Sequence, residues 1–152
     1  EGANAGEIVD ADHRTWYREL FAPSVIAGLL KPTDLAGYRT QQVYIRGSMH
    51  TPLNPEAVRD AIPVLFDLLK NEPEACVRAV LGHFFFVYIH PYMDGNGRIG
   101  RFLMNTQLIS GGYDWTIIPV EKRKAYMTAL EKASVQGDIT DCTLFISSLI
   151  HS

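Results

Sequence analysis

The stretch VRAVLGHFFFVYIHPYMDGNGRIGR, residues 77–101, decides how the rest of the chain is read. Its first half is apolar on nearly every helical face, through Val77, Val80, Leu81, Phe84, Phe85, Val87 and Tyr88. A helix without a polar stripe belongs in the centre of a fold. The pattern predicts a helix from Pro73 to Ile89. It stops at His90 because a residue before proline is pushed out of helical space. The second half is a loop that holds an acid, Asp94, and then Gly95-Asn96-Gly97. A new helix opens at Arg98.

The loop is chemically suggestive. Glycines let successive N–H groups turn into one concavity, and a helix N-terminus adds its unpaired N–H groups and positive dipole end. Arg98 and Arg101 are three apart and share a helix face. Two guanidiniums beside an amide nest suit a polyphosphate. Asp94 is a hard oxygen ligand of the kind Mg²⁺ uses beside phosphate oxygens. His90 is the group there that can take a proton near neutral pH. Together these residues describe phosphoryl or nucleotidyl transfer. An EF-hand does not fit, because Arg98 and Arg101 occupy ligand places. A Walker-type loop does not fit either, because Gly-Lys-Ser/Thr is absent.

Outward from this core, the pattern is mostly α. Residues Val9 to Leu20 read as a helix, with Pro23 interrupting and a short piece from Ser24 to Leu30. Gln42 to Arg46 is strand-like, Gly47-Ser48 is a turn signal, and Met49 to Leu53 returns, which predicts a small β-hairpin. Asn54-Pro55-Glu56 is a helix start by cap, proline and acid, and that helix runs to about Lys70. Arg98 to Ser110 is the next helix, stopped by Gly111-Gly112. Trp115 to Val120 is extended. Helices over Glu121 to Val135 and Thr140 to Ile150 complete the chain.

The 152 residues make one domain, long enough to build a core without staples. Seventeen acidic and 14 basic side chains give a net charge of -3, which argues against a nucleic-acid-coating surface. Cys76 and Cys142 lie in apolar helical patterns and read as buried hydrophobes. No apolar run approaches a membrane span, and no nucleic-acid or membrane partner is expected. The start, Glu1-Gly2, lacks Met, so residues 1–8 are expected to be a leader or junction.

His90-Pro-Tyr-Met-Asp-Gly-Asn-Gly-Arg-Ile-Gly-Arg101 resembles the Fic family signature HxFx(D/E)GNGRxxR, with Tyr92 where Phe is usual. A partner is expected for the Tyr92 hydroxyl. The resemblance extends over roughly residues 37–150. It implies a Fic-type helical bundle over 9–152, around a central buried helix–loop–helix. The divisions are N-terminal helices at 9–36, a flap hairpin at 38–53, the motif core at 55–111 and C-terminal helices at 121–151. It also implies a cytoplasmic enzyme that moves AMP from ATP, with Mg²⁺, to a hydroxyl of a target protein.

In that resemblance His90 is the general base and Asp94 holds Mg²⁺. Gly95, Asn96 and Gly97 cradle the α-phosphate through N–H groups and the Asn amide. Arg98 steadies the β-phosphate and Arg101 reaches the γ-phosphate. Val43, Tyr44 and Ile45 line the target-binding flap, and Tyr126, Met127 and Ser134 line the adenine pocket. Transfer of UMP, phosphate or phosphocholine, removal of AMP, and a non-catalytic nucleotide-binding regulator are the alternatives; an intact Gly97 favours AMP over phosphate. The family's inhibitory helix, (S/T)xxxE(G/N), has a partial counterpart in Thr15 to Glu19, but Leu20 stands where Gly or Asn belongs. Glu1-Gly2 could be the tail of such a motif. The inhibitory element is therefore expected outside this chain or on a partner, and oligomeric state is open.

Overall fold

The computed structural model describes residues 4–150. They form six α-helices: α1 (Ala5–Ile26), α2 (Pro55–Asn71), α3 (Ala75–Ile89), α4 (Asn96–Ser110), α5 (Arg123–Gln136) and α6 (Thr140–Ser147). Short 3₁₀ turns cover Pro32–Leu35 and Val120–Lys122. The mostly helical class and the central buried helix are as expected.

The reason α3 is apolar all round is now visible. It and α4 form a wall shared by two cores. On one side Phe86, Ile89, Ile99 and Leu103 pack with Val9 and Tyr17 of α1 and Ile62 and Phe66 of α2. On the other, Val80, Phe84, Met104 and Leu108 pack with Leu130 of α5 and Ile146 of α6. The two wall helices approach closely at Gly100, where a Cβ would lie 3.0 Å from Val87 Cγ2. Cys142 is buried in the second core and neither cysteine is bonded to the other.

α2 begins as predicted, with the Asn54 side chain accepting from the Ala57 N–H at 2.8 Å. α1 differs from expectation at both ends. Residues 5–8, read as leader, are the first turn of α1, because Asn4 Oδ1 accepts from the N–H groups of Gly6 and Glu7. Asn4 Nδ2 also donates to the Lys70 carbonyl at 3.1 Å, and Lys70 pairs with Asp10 at 2.6 Å, which staples this turn to the end of α2. Residues 1–3, and with them the Glu1-Gly2 fragment, lie outside the described residues. At its other end α1 runs straight through Pro23. An interior proline costs roughly 3 kcal/mol. Leu20, Phe21 and Val25 pack on the first core on both sides of it, and burying such side chains is worth about 1.5–3 kcal/mol each when complete.

The predicted hairpin at 38–53 is corrected: no strand forms there among the described residues. Its turn is present, with the Ser48 N–H donating to the Ile45 carbonyl at 3.1 Å. The two arms are joined by a side chain instead of a ladder, Gln42 Nε2 donating to the Pro52 carbonyl at 2.9 Å. Pro52 has no N–H to give a ladder, and an isolated two-strand ribbon is marginal in water. The loop is anchored elsewhere, by Ser48 Oγ and the Met49 N–H on the Glu131 carboxylate and by His50 Nε2 on the Tyr88 carbonyl.

Candidate active site

His90 caps α3, its N–H closing the last helical bond to Phe86. Its backbone is left-handed, at φ 56° and ψ 61°. That conformation costs a residue with a Cβ about 1–2 kcal/mol. The ring turns back so that Nδ1 lies 3.1 Å from the Val87 carbonyl. A carbonyl only accepts, so Nδ1 carries the proton and Nε2 keeps its lone pair. Burial, above all, holds the His90 pKa below the ordinary histidine value; Arg39 and His50 add to this, while the Val87 carbonyl and Asp94 oppose it. The ring is therefore a neutral base at pH 7.

The loop that follows is bound mostly to itself. The Tyr92 N–H donates to Asn96 Oδ1 and Asn96 Nδ2 returns the bond to the Tyr92 carbonyl, both at 2.9 Å. The Asn96 amide is thus occupied at both ends, and what Asn96 offers an anion is its backbone N–H. The Gly95 N–H donates to Asp94 Oδ1 at 2.7 Å. Gly95 sits at φ 76°, and a Cβ there would lie 3.0 Å from Leu20 Cδ2 and Phe21 Cε2. Only glycine satisfies both constraints. α4 then starts, and the N–H groups of Asn96, Gly97 and Arg98 have no partner among the described residues, as at any helix start.

The Tyr92 hydroxyl has the expected partner. It lies 2.8 Å from Nδ1 of His13, a fully buried ring on α1, and Tyr92 stacks on Tyr17 at 3.9 Å. Burial first, then the charge of Arg14, lowers the His13 pKa to about 4, with Asp10 opposing. His13 is therefore neutral, with Nδ1 on the Tyr92 hydroxyl and Nε2 facing the Tyr38 hydroxyl at 3.4 Å, so that one ring nitrogen donates and the other accepts.

A cavity of about 180 Å³ gathers His90, Gly97 and Arg101 with Ile45 from the 38–53 loop and Tyr126, Met127 and Ser134 from α5. So the residue expected as base, one glycine of the expected nest, the second arginine, one residue of the expected flap and all three residues expected to line an adenine pocket share a wall. Tyr126 also has its hydroxyl 2.5 Å from Nε2 of the buried His83. Arg98 lies next door, in a cavity of about 310 Å³ with Leu20, Phe102, Trp115 and, again, Arg101. Its guanidinium is 5.4 Å from the Phe21 ring centroid. Asp94 is exposed and faces a third cavity of about 480 Å³, beside Tyr17, Phe21 and Tyr38. Val43 and Tyr44 line none of these, and Tyr44 is 78% exposed. In α1, Glu19 is exposed and pairs with no cation among the described residues, while Trp16 and Leu20 pack on the core.

Four residues with a part in this site carried no role in the sequence reading. Arg39, His13 and Glu131 act through partners far away in the chain. Arg123 lines the 180 Å³ cavity and another, of about 250 Å³, together with Arg101. A cation in the first turn of a helix opposes the helix dipole, and that is the signal that could have drawn attention to Arg123.

Comparison with known proteins shows what the chain as a whole is similar to. The sequence pattern of the Fic/DOC family matches residues 11–108. The protein adenylyltransferase fic-1 of Caenorhabditis elegans is 32% identical over 126 residues, which is 80% of this chain and 24% of that protein. The protein adenylyltransferase Fic of Drosophila willistoni is 36% identical over 126 residues, again 80% of this chain and 25% of the relative. The chain thus spans about a quarter of the length of the curated relatives it matches. The solved structure of C. elegans Fic-1, residues 134–508, superposes with a TM-score of 0.74 at 28% identity, covering 91% of this chain and 39% of that one.

Proposed function

The chain belongs to the Fic/DOC family, and from that premise we propose that it moves AMP from ATP to a hydroxyl side chain of a target protein. The observation that carries this reading is the 180 Å³ cavity in which a neutral His90 meets Gly97, Arg101 and the candidate adenine residues. The relatives named above are adenylyltransferases.

Nε2 of His90 takes the proton as the target oxygen bonds to the α-phosphorus, and the bond to pyrophosphate breaks. The N–H groups of Asn96, Gly97 and Arg98 receive the phosphate oxygens. Arg98 and Arg101 take up the charge of the leaving pyrophosphate. Tyr126, Met127 and Ser134 hold the adenine.

The residues fit Mg²⁺ in one way only. No cluster of three or more metal-ligating side chains exists among the described residues, so no protein cage is built in advance. A single exposed carboxylate, Asp94, suits an ion whose other ligands are phosphate oxygens and water. When bound, Mg²⁺ neutralises phosphate charge.

The target is held by the 38–53 loop, where the backbone of Tyr44 has no partner among the described residues, so that an extended segment can pair with it. An inhibitory helix comes from a segment or partner other than α1. No described helix is long and apolar enough to cross a membrane; the cytoplasm is the proposed compartment because ATP is the substrate.

Intact-mass measurement after incubation with Mg²⁺ and ATP tests the reading. The parent protein gains the mass of AMP by self-modification and His90→Ala gains nothing. A gain of phosphate mass instead would replace AMP transfer by phosphate transfer.

A further inference from the structure

The left-handed turn at His90 is the one positive-φ conformation of a non-glycine residue among the described residues. Such a turn persists where its surroundings over-determine it. Arg39 is what surrounds it. Its Nε donates to the His90 carbonyl at 2.6 Å, and its Nη2 donates to the Ile89 carbonyl at 3.3 Å. Nη2 also donates to the Leu53 carbonyl, and Nη1 to the Gln41 carbonyl at 3.0 Å. The Arg39 backbone N–H donates to the Pro91 carbonyl at 2.9 Å.

Arg39 is only 3% exposed and no carboxylate pairs with it among the described residues. Burying a guanidinium without a counter-charge is costly, and packing alone would be served by an apolar side chain. What only the planar fork does is hold several carbonyls in fixed directions. Those carbonyls belong to the end of α3 and to both roots of the loop at 40–53.

We propose that Arg39 is the positioning residue of the base: its guanidinium fixes the peptide of His90 so that Nδ1 meets Val87 and Nε2 faces the cavity, and it ties that peptide to both roots of the target-binding loop. The consequence for rate rests on the AMP-transfer reading; the consequence for the His90 ring rests on geometry alone.

The test uses Arg39→Ala and Arg39→Lys in the full-length protein. Imidazole nitrogen NMR reports the His90 tautomer without any turnover. In the parent the ring is neutral with the proton on Nδ1, and in Arg39→Ala the two tautomers mix. Affinity for a fluorescent ATP analogue changes by less than about twofold, while AMP transfer falls about 100-fold, the cost of a misplaced reacting group. Millimolar guanidinium restores about a tenth of the parent rate in Arg39→Ala and nothing in the double variant with His90→Ala.

An unchanged His90 spectrum in Arg39→Ala overturns the proposal whatever the rate does. So does a loss of ATP affinity as large as the loss of rate. If Arg39→Ala does not fold, Arg39→Lys, which keeps the charge without the fork, is judged by the same spectra. A parent protein that transfers no AMP while its His90 ring still responds to Arg39 refutes the activity and leaves the positioning role standing.

Discussion

The loop at 90–96 and the loop at 40–53 face the same cavity and are built in opposite ways. The first is bonded to itself, Tyr92 to Asn96 and Asp94 to Gly95, and floored by a buried aromatic stack. The second is longer and more sparsely bonded within itself, through Gln42 to Pro52, Ser48 to Ile45 and His50 to Ser48, and it leans on its neighbours: Arg39 at its roots and Glu131 near its tip. A group that moves a proton has to be fixed to a fraction of an ångström. A surface that pairs with another chain has to leave its own backbone groups free. On the proposed function, the two loops divide these requirements between them.

The division can be attacked where it is strongest. His90→Ala is expected to lower AMP transfer by about 10²–10⁴-fold while ATP binding, followed by calorimetry, stays close to the parent. A parallel loss of both would mean that the rigid loop serves binding and not proton transfer.

Acid should loosen the supports around this site, through His13 beneath the rigid loop and His83 against Tyr126 of α5. The folded pKa values of His13 and His83 are both lowered to about 4, burial being the first cause in each. A lowered histidine pKa means the unfolded chain binds the proton more readily. Stability is then full above pH 6.5 and falls as pH drops from 6.5 towards 4, by up to about 3 kcal/mol per ring. Melting curves across that window check this, and a flat profile would show that the rings are not buried neutral.

Two substitutions test the floor of the rigid loop. Gly95→Ala should cost about 1–2 kcal/mol for the left-handed backbone alone, with crowding by Leu20 and Phe21 in addition, seen as a lower melting temperature. His13→Phe should cost about 1–3 kcal/mol by stranding the Tyr92 hydroxyl. The double variant with Tyr92→Phe should recover most of that, because removing both partners leaves no orphan group.

The smallest effect belongs to the other loop. Glu131→Gln weakens the grip on Ser48 and Met49, whose hydrogen bonds are the main causes of the lowered Glu131 pKa. It should raise KM for a protein target with kcat and melting temperature nearly unchanged. A drop in stability would show that this loop is structural after all.

Much of this was legible in residues 77–101, because burial, helix ends and anion nests are written in local patterns. Asn54-Pro55 marked a helix start for the same reason. The hairpin was misread because Val43-Tyr44-Ile45 has strand composition, whereas a ladder also needs donors on the returning arm, and Pro52 has none. α1 was cut short at Pro23 because a local penalty was visible and the packing of Leu20, Phe21 and Val25 around it was not. Asp94 and the two arginines were identified by chemistry, but their distribution over three cavities depends on how α1 and the segment around 115–118 close over the loop. Arg39 and His13 were beyond local reading altogether, since their partners lie 51 and 79 residues away.

The left-handed turn at His90 also bears on how such a site is kept through mutation. Glycine and asparagine occupy that backbone region at little or no cost, so His90→Gly and His90→Asn relieve strain while removing the base. The backbone conformation by itself therefore favours either replacement, and what the histidine returns to the fold is limited to the burial of its ring and the bond of Nδ1 to the Val87 carbonyl. On the proposed function, a histidine at this turn trades backbone ease for a proton acceptor.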